Sequence, residues 1–472
     1  MTTSSAQQTK RRGIMQSLTG LSVRYVERLM PDPYLFAVIL TLIVAGLVAV
    51  LVRGASARGM LSAWYAGVWG PQNIFTFAFQ MALILVTGYT LAEAPVLKRA
   101  ILRIAGTPRN QVQGALLCFT VSAAASLLNW GLGLVAGALV ARQVARRFPE
   151  SHFGYLIAAA FMGFIVWTQG LSSSIALANT DANSPINVIH KIAGINVPLS
   201  QTIFQPYSWL SVLIVLAVLA LAVRRMEPAD SLAPDPAVFD DDTAAVEEAV
   251  EPPSSKSFAE WLENQWILNV LLFAAGITYF AVSGFALNIS SMIMLFTITS
   301  ALLHRTPIRF IRAFTGAAKV SGPLLLQYPL YGGLIGLLAY QGADDSEPLQ
   351  TLLAQTLVNG ASQYTLPFLT FISSVIISLF VPSGGGHWAV QGPIAVDSAL
   401  SIGQHSPAYL GLISMAVAVG EGVANMIQPF WLLPLLAIAK LNVRQVMGFT
   451  IVAFGIGLAV LGTMTLIAPL II

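Results

Sequence analysis

The run Pro382-Ser383-Gly384-Gly385-Gly386-His387 breaks an apolar stretch from 366 to 400, and Asn129-Trp130-Gly131-Leu132-Gly133 breaks another from 112 to 141. Each break falls midway, leaving an apolar arm on either side too short to cross a bilayer alone. Backbone broken at membrane depth leaves N–H and C=O groups unpaired, which is tolerated only inside protein or against a water-filled cavity. Both stretches therefore read as re-entrant helical hairpins that enter and leave a membrane on one side.

The rest of the chain supports a membrane setting. Of its 472 residues 56% are hydrophobic and only 10% charged, against roughly 25% charged in soluble domains, and its mean hydropathy is +0.74. Apolar windows of spanning length, about 17 to 25 residues, fall near 34–52, 74–94, 153–179, 207–223, 266–283, 288–303, 320–340, 408–438 and 446–471. The single cysteine, Cys118, excludes a disulfide framework and a cysteine metal cluster. A net charge of +3 reflects basic loops and does not imply nucleic acid. Residues 1–33 carry Lys10, Arg11 and Arg12 but lack a signal-peptide core, and Ile14, Leu18, Leu21, Tyr25 and Leu29 recur at helical spacing, which predicts an uncleaved helix on the inner surface.

Loop charges test the hairpins. With the N-terminus in the cytoplasm and both hairpins counted as non-crossing, Lys98, Arg99, Arg146, Arg147, Arg224, Arg309, Arg312 and Lys440 all fall inside, while only Arg53, Arg58 and Lys191 fall outside. A full crossing at either hairpin would swap every later positive charge. Residues 227–265 are rich in Asp, Glu, Pro and Ser, a linker composition that separates a first membrane repeat, 34–226, from a linking helix and second repeat, 266–472. The expected fold is an all-α polytopic membrane protein of two inverted repeats, each holding one hairpin and one interrupted helix. Such repeats mark secondary transporters, with substrate held near the midplane by the broken helices.

The second pair of interruptions is Thr168-Gln169-Gly170-Leu171-Ser172-Ser173-Ser174 and Gly420-Glu421-Gly422-Val423-Ala424-Asn425. None of the four contains Lys or Arg, so backbone N–H groups at half-helix N-termini and hydroxyls are the available anion donors. The candidate substrate contacts are Asn129, Trp130, Gly131, Gly133, Gln169, Ser172, Ser173, Ser174, Ser383, Gly384, Gly385, Gly386, His387, Trp388, Gln391, Asn425 and Gln428. Trp130 and Trp388 adjoin the hairpin tips and are the preferred walls for an apolar tail over Trp167 and Trp431. Glu421 and His387 are the deepest ionisable residues, and such groups in hydrocarbon default to a functional reading. A neutral Glu421 donates a hydrogen bond to an anion, a basis for proton coupling; an ionised one serves Na⁺ instead. Asp181 and Asp397 lie nearer membrane boundaries and read as solvated or capping.

At Phe380-Val381-Pro382-Ser383-Gly384-Gly385-Gly386-His387-Trp388-Ala389-Val390-Gln391-Gly392-Pro393 the sequence resembles the short-chain fatty acid transporter family. Leu29-Met30-Pro31-Asp32-Pro33, Phe79-Gln80-Met81-Ala82-Leu83-Ile84, Asn129 to Val135, Gly420-Glu421 and Gln428-Pro429-Phe430-Trp431 extend the resemblance over most of the chain. It implies acetoacetate- or butyrate-like substrates, a place in a wider ion transporter superfamily, a dimerising scaffold and an elevator-like moving domain. Relatives in that superfamily hold Na⁺ and carboxylate with Ser-Asn-Thr hairpin motifs, which the tips here lack.

The expectation is thus a non-enzymatic transporter of short-chain monocarboxylates in a bacterial inner membrane, a homodimer without cofactor, coupled to H⁺ or Na⁺. Two alternatives remain at this point. A cation/proton antiporter would use Glu421 and Asp181 as carriers, and a membrane-embedded acyl-modifying enzyme would use His387 as base. No Walker A loop, zinc helix motif or nucleophile elbow supports a pump or a hydrolase.

Overall fold

A computed structural model describes residues 33–70, 75–184, 186–239, 257–285, 287–343, 346–352, 360–381 and 384–472. Among these the regular structure is helical, with one isolated bridge between His152 and Leu232. The surface helix expected before residue 30 lies outside the described residues.

The first half opens with α1 (Pro33–Leu51), α2 (Ala57–Trp69), α3 (Phe75–Ala92) and α4 (Pro95–Ala105). A 70° bend separates α3 from α4, where Pro95 opens the new helix. Next come α5 (Gln111–Leu128) and α6 (Trp130–Arg147), joined by the single residue Asn129. α7 (Phe153–Gly163) runs on as a 3₁₀ turn to Gln169, breaks, and resumes as α8 (Ser174–Ala178); α9 (Val188–Ala193) and α10 (Pro206–Arg225) complete the half.

The second half contains α11 (Phe258–Glu263), α12 (Trp266–Val282), α13 (Ile289–Leu303), α14 (Pro307–Ala318) and α15 (Gly322–Leu338). It continues with α16 (Leu366–Ser378), α17 (Gly384–Ser401) and α18 (Pro407–Ala424), then a break, a 3₁₀ turn and α19 (Leu433–Ala439), and ends with α20 (Arg444–Ile467). Five described helical runs are long and apolar enough to cross a membrane, or six if the bent pair counts as one span. The apolar window at 408–438 is therefore two helices, because Asn425 to Gln428 leave the helical path while hydrophobic residues flank them on both sides.

Both predicted hairpins form antiparallel helix pairs, and small residues explain how they close. In the first, a Cβ on Gly133 would overlap Ser126 Oγ, one on Gly137 would come 2.9 Å from Ser122 Cβ, and one on Gly114 would strike Val144. These three pairings are possible only if α5 and α6 run in opposite directions. In the second pair, Gln391 Nε2 donates to the Thr370 carbonyl at 3.0 Å and His387 lies 3.5 Å from Ser374, again an antiparallel order.

Each interrupted helix packs on the first arm of its own half through a glycine. A Cβ at Gly163 would meet the Phe119 carbonyl and the Ala123 nitrogen, and one at Gly420 would meet Ser374 Cβ at 2.6 Å and the Phe371 carbonyl at 2.7 Å. Gly422 then brings the two interrupted helices together, its Cβ position lying 2.8 Å from the Ile165 carbonyl and 3.1 Å from Thr168 Oγ1. Close backbone approach of this kind replaces hydrophobic drive where the surroundings are as apolar as the helices.

The linker departs from its composition. Met226 and Val238 are buried in the main core, the Phe153 N–H donates to the Leu232 carbonyl at 2.8 Å, and the Arg146 guanidinium sits 4.8 Å above the Phe239 ring. Residues 227–239 are thus strapped to the base of the first hairpin and the start of α7, while 240–256 lie outside the described residues.

Candidate functional site

Three of the four interruptions meet at Gly384, the first residue of α17. A Cβ there would overlap Ser174 Oγ and come 3.2 Å from Trp167 Cη2 and 3.3 Å from Glu421 Oε2. One atom position is thus shared by the tip of the second hairpin, the break in the first interrupted helix and the acid on α18. Only glycine lets the three elements approach this closely, since a Cβ would run into Ser174.

Glu421 is fully buried, and neither carboxylate oxygen has a hydrogen-bond partner among the described residues. Its neighbours Gly420 and Gly422 draw α16 and the 3₁₀ turn against the helix on both sides, which shuts the acid in. One turn on, Asn425 Oδ1 accepts a hydrogen bond from Trp167 Nε1 at 3.0 Å, leaving Asn425 Nδ2 without a partner. Gln428 is committed elsewhere: its Oε1 accepts from the Phe430 N–H at 2.6 Å and its Nε2 donates to Tyr331 Oη at 2.9 Å. That ties the second break to α15 and leaves Gln428 a bracing role.

His387 is also fully buried. The Thr370 carbonyl can only accept, so the Gln391 amide nitrogen points to it and the Gln391 carbonyl oxygen faces the imidazole. His387 Nε2 therefore carries a proton and donates to Gln391 Oε1 at 2.7 Å, while Nδ1 has no partner. Ser374 Oγ, 3.5 Å from Nε2, donates instead to the Val417 carbonyl at 2.6 Å. Gln391 holds the ring and is itself spent.

At the first hairpin tip, Asn129 caps α6 by accepting from the Leu132 N–H at 2.9 Å. Gly131 and Gly133 serve packing, since a Cβ at Gly131 would lie 2.8 Å from the Ile84 carbonyl. Among the serines, Ser173 caps α8 through the Ala176 N–H at 3.3 Å, Ser172 Oγ is buried without a partner, and Ser174 faces Gly384. Gln169 Oε1 accepts from Ser211 Oγ at 2.5 Å, which anchors the break to α10. Gly385 and Gly386 occupy the first turn of α17, and Ser383 lies outside the described residues.

The tryptophans divide differently from the reading by adjacency. Trp130 meets Trp431 edge-on with ring centres 4.8 Å apart, and Trp431 meets Trp167 at 5.7 Å, so these three form one wall beside Gly384. Trp388 points away. It donates to Asn179 Oδ1 at 3.2 Å and lies in a separate core with Tyr207 and Val188. Asp181 accepts from the Asn183 N–H in a loop and Asp397 is exposed, so neither joins Glu421. No cluster of His, Cys, Asp or Glu suited to a metal ion occurs among the described residues.

Ser174 also borders a narrow cleft. It is lined by Asn129, Trp130, Ser172 and Ser174, by Leu128, Leu171 and Leu177 of the same elements, and by Met81 and Ile84 of α3 with Ile289 and Met292 of α13. Sequence alone could not have found the α3 and α13 residues, because they stand in unbroken apolar helices and reach the site only through packing.

The chain as a whole has relatives elsewhere. The chain is 37% identical over 445 residues to a protein of Escherichia coli (strain K12) described as a "Putative short-chain fatty acid transporter", covering 92% of this chain and 96% of that one. A Haemophilus influenzae protein of the same description is 34% identical over 446 residues, covering 91% and 94%. Among solved structures, the crystal structure of the Alcanivorax borkumensis YdaH transporter aligns over 93% of this chain and 98% of its own, with 18% identity and a TM-score of 0.49. The model of the short chain fatty acid transporter family matches residues 14–468, nearly the whole length, and so the chain, a multi-pass membrane transporter and not an enzyme, belongs to that family.

Proposed function

We propose that the protein is a secondary transporter that carries short-chain monocarboxylates, of the butyrate or acetoacetate kind, together with a proton across a bacterial inner membrane. One observation carries this reading: a buried acid without a hydrogen-bond partner stands beside Ser174 and the glycine that begins α17, with no basic side chain among the atoms nearest Gly384. The first-turn N–H groups of α17 and the Ser174 hydroxyl supply donors for a carboxylate, and the helix end favours negative charge.

Glu421 makes the coupling necessary. Two carboxylates about 5 Å apart repel by roughly 3 kcal/mol at an effective dielectric of about 20. One proton removes that term and turns Glu421 into a hydrogen-bond donor, so substrate anion and proton enter as a neutral pair. The unpartnered His387 Nδ1 is a second proton acceptor at the same tip. Trp130, Trp167 and Trp431 shelter the pair from water.

The wider reading keeps both helix pairs as re-entrant hairpins of two inverted repeats, moving as an elevator against a dimeric scaffold, with the N-terminus cytoplasmic as the loop charges favour. No cofactor or nucleic acid has a role in it. The test is uptake of labelled butyrate into vesicles with imposed pH and Na⁺ gradients. A pH gradient should drive uptake, and Glu421→Gln should abolish that drive in a protein that remains folded. Unchanged pH dependence in the variant would remove Glu421 as carrier. If butyrate stays outside while a Na⁺ gradient moves protons, the protein is a cation/proton antiporter.

A further inference from the structure

We propose that α4 and α14 form a surface that binds the headgroups of anionic phospholipid. Each follows a break in an apolar run. α4 leaves α3 at the 70° bend, and α14 leaves α13 after Arg305, whose φ of 68° is left-handed. The two breaks are pinned together. His304, at the end of α13, donates from Nε2 to the Thr90 carbonyl of α3 at 2.8 Å, and Glu93, three residues on from Thr90, pairs with Lys98 of α4 at 3.0 Å. α3 and α13 therefore end at one level, from which α4 and α14 both start.

Each helix presents three faces when its side chains are placed at about 100° per residue. In α4, Leu97, Ile101 and Ala105 form the packed stripe, Arg99 and Arg103 stand exposed opposite it, and Val96 and Ile104, 50% and 41% exposed, occupy the flank between. In α14, Phe310 and the buried Ala317 mark the packed side, Arg309 and Arg312 with Lys319 just beyond stand exposed opposite, and Ile311 lies exposed on the flank.

Charge is one-sided on both. Residues 94–110 carry four Lys or Arg and residues 300–322 carry four more, with no Asp or Glu in either stretch. Arg103, Arg309, Arg312 and Lys319 make no hydrogen bond or salt bridge among the described residues. The exposed apolar flank decides the partner. A nucleic acid or an acidic protein would meet the cations but leave Val96, Ile104 and Ile311 in water, whereas a phospholipid covers both, with phosphate over the cations and acyl chain over the flank. None of these residues belongs to the Gly384 site, so the lipid is a partner and not the cargo.

The experiment titrates the purified full chain in a non-ionic detergent with phosphatidylglycerol or phosphatidylcholine and reads the melting temperature. Phosphatidylglycerol should stabilise the wild type more. A cation near an anionic surface contributes about fivefold to binding at low salt, so Arg103→Gln, Arg309→Gln and Arg312→Gln combined should raise the phosphatidylglycerol concentration for half the effect on the order of a hundredfold. If the triple variant does not fold, each single substitution, expected at about fivefold, carries the same comparison. Arg53→Gln with Arg58→Gln, which the loop charges place on the other side of the membrane, should keep the wild-type midpoint; a loss as large as in the triple variant would mean that only net charge is read. Equal response of the wild type to the two lipids, or a triple variant with the wild-type midpoint, would overturn the surface. Glycerol phosphate that stabilises the wild type as well as phosphatidylglycerol does would overturn the lipid assignment in favour of soluble anions.

Discussion

Replacing Gly384 with alanine adds one methyl at the point where three elements meet. The methyl would overlap Ser174 Oγ and stand 3.2 Å from Trp167 Cη2 and 3.3 Å from Glu421 Oε2. Overfilling a packed interior costs about 1 to 3 kcal/mol, or roughly 5- to 150-fold in affinity if the cost falls on the bound state. The value should lie toward the lower end, because Ser174 can turn its single hydroxyl away while Trp167, fixed by its bond to Asn425, cannot move. About a tenfold rise in the KM for butyrate is expected, with thermal stability in detergent close to wild type. Ser174→Gly separates sterics from chemistry. If the methyl acts only by crowding, the double variant regains affinity; if Ser174 is a donor to the anion, Ser174→Gly alone weakens uptake and the double variant recovers nothing. A Gly384→Ala protein with wild-type KM and rate would refute the placement of the anion at the α17 tip.

Two further substitutions distinguish the site from its frame. Gly420→Ala drives a methyl toward Ser374 Cβ at 2.6 Å and the Phe371 carbonyl at 2.7 Å, neither of which can rotate away, so it should lower the detergent melting temperature by several degrees, at a cost of about 1 to 3 kcal/mol; an unchanged melt would mean that α16 and α18 do not pack as described. Trp388→Phe loses the bond to Asn179, roughly 1 kcal/mol, and part of a buried ring, but should leave butyrate KM unaltered, whereas a change in KM would return Trp388 to the binding wall.

How much of the fold and site is legible in the sequence depends on what kind of signal each residue sends. A lone asparagine and a triple glycine midway along apolar runs point to breaks there, and Asn129 and Gly384 do mark the end of α5 and the start of α17. The second interrupted helix is harder to read, because Phe430, Trp431, Leu432 and Leu433 restore hydrophobicity soon after Gln428 and a hydropathy window runs across the gap. α2 sends a mixed pattern, with Arg58 and two glycines, and gains its order from α15: a Cβ on Gly67 would strike the Gly332 carbonyl and one on Gly336 the Ala63 carbonyl. The docked start of the linker is hidden by the acidic residues around it, since one buried valine and one phenylalanine under an arginine do not alter a composition.

Trp388 shows the limit most clearly. Adjacency to the tip says how far along the helix a side chain lies but not which way it faces. His387 and Gln391, four residues apart, share the face turned to α16, and the next position round the helix carries Trp388 toward Asn179 instead. Trp431, outside both hairpins, reaches the site because the break after Asn425 swings it onto Trp130 and Trp167. Glu421 is conspicuous as an acid in an apolar helix, yet its meaning turns on whether a partner waits for it. The flanking glycines decide that. Gly420 and Gly422 let α16 and the 3₁₀ turn close on the helix from both sides of the acid. Closed in on those two sides, the carboxyl meets the second hairpin at Gly384, where a Cβ would stand 3.3 Å from Oε2.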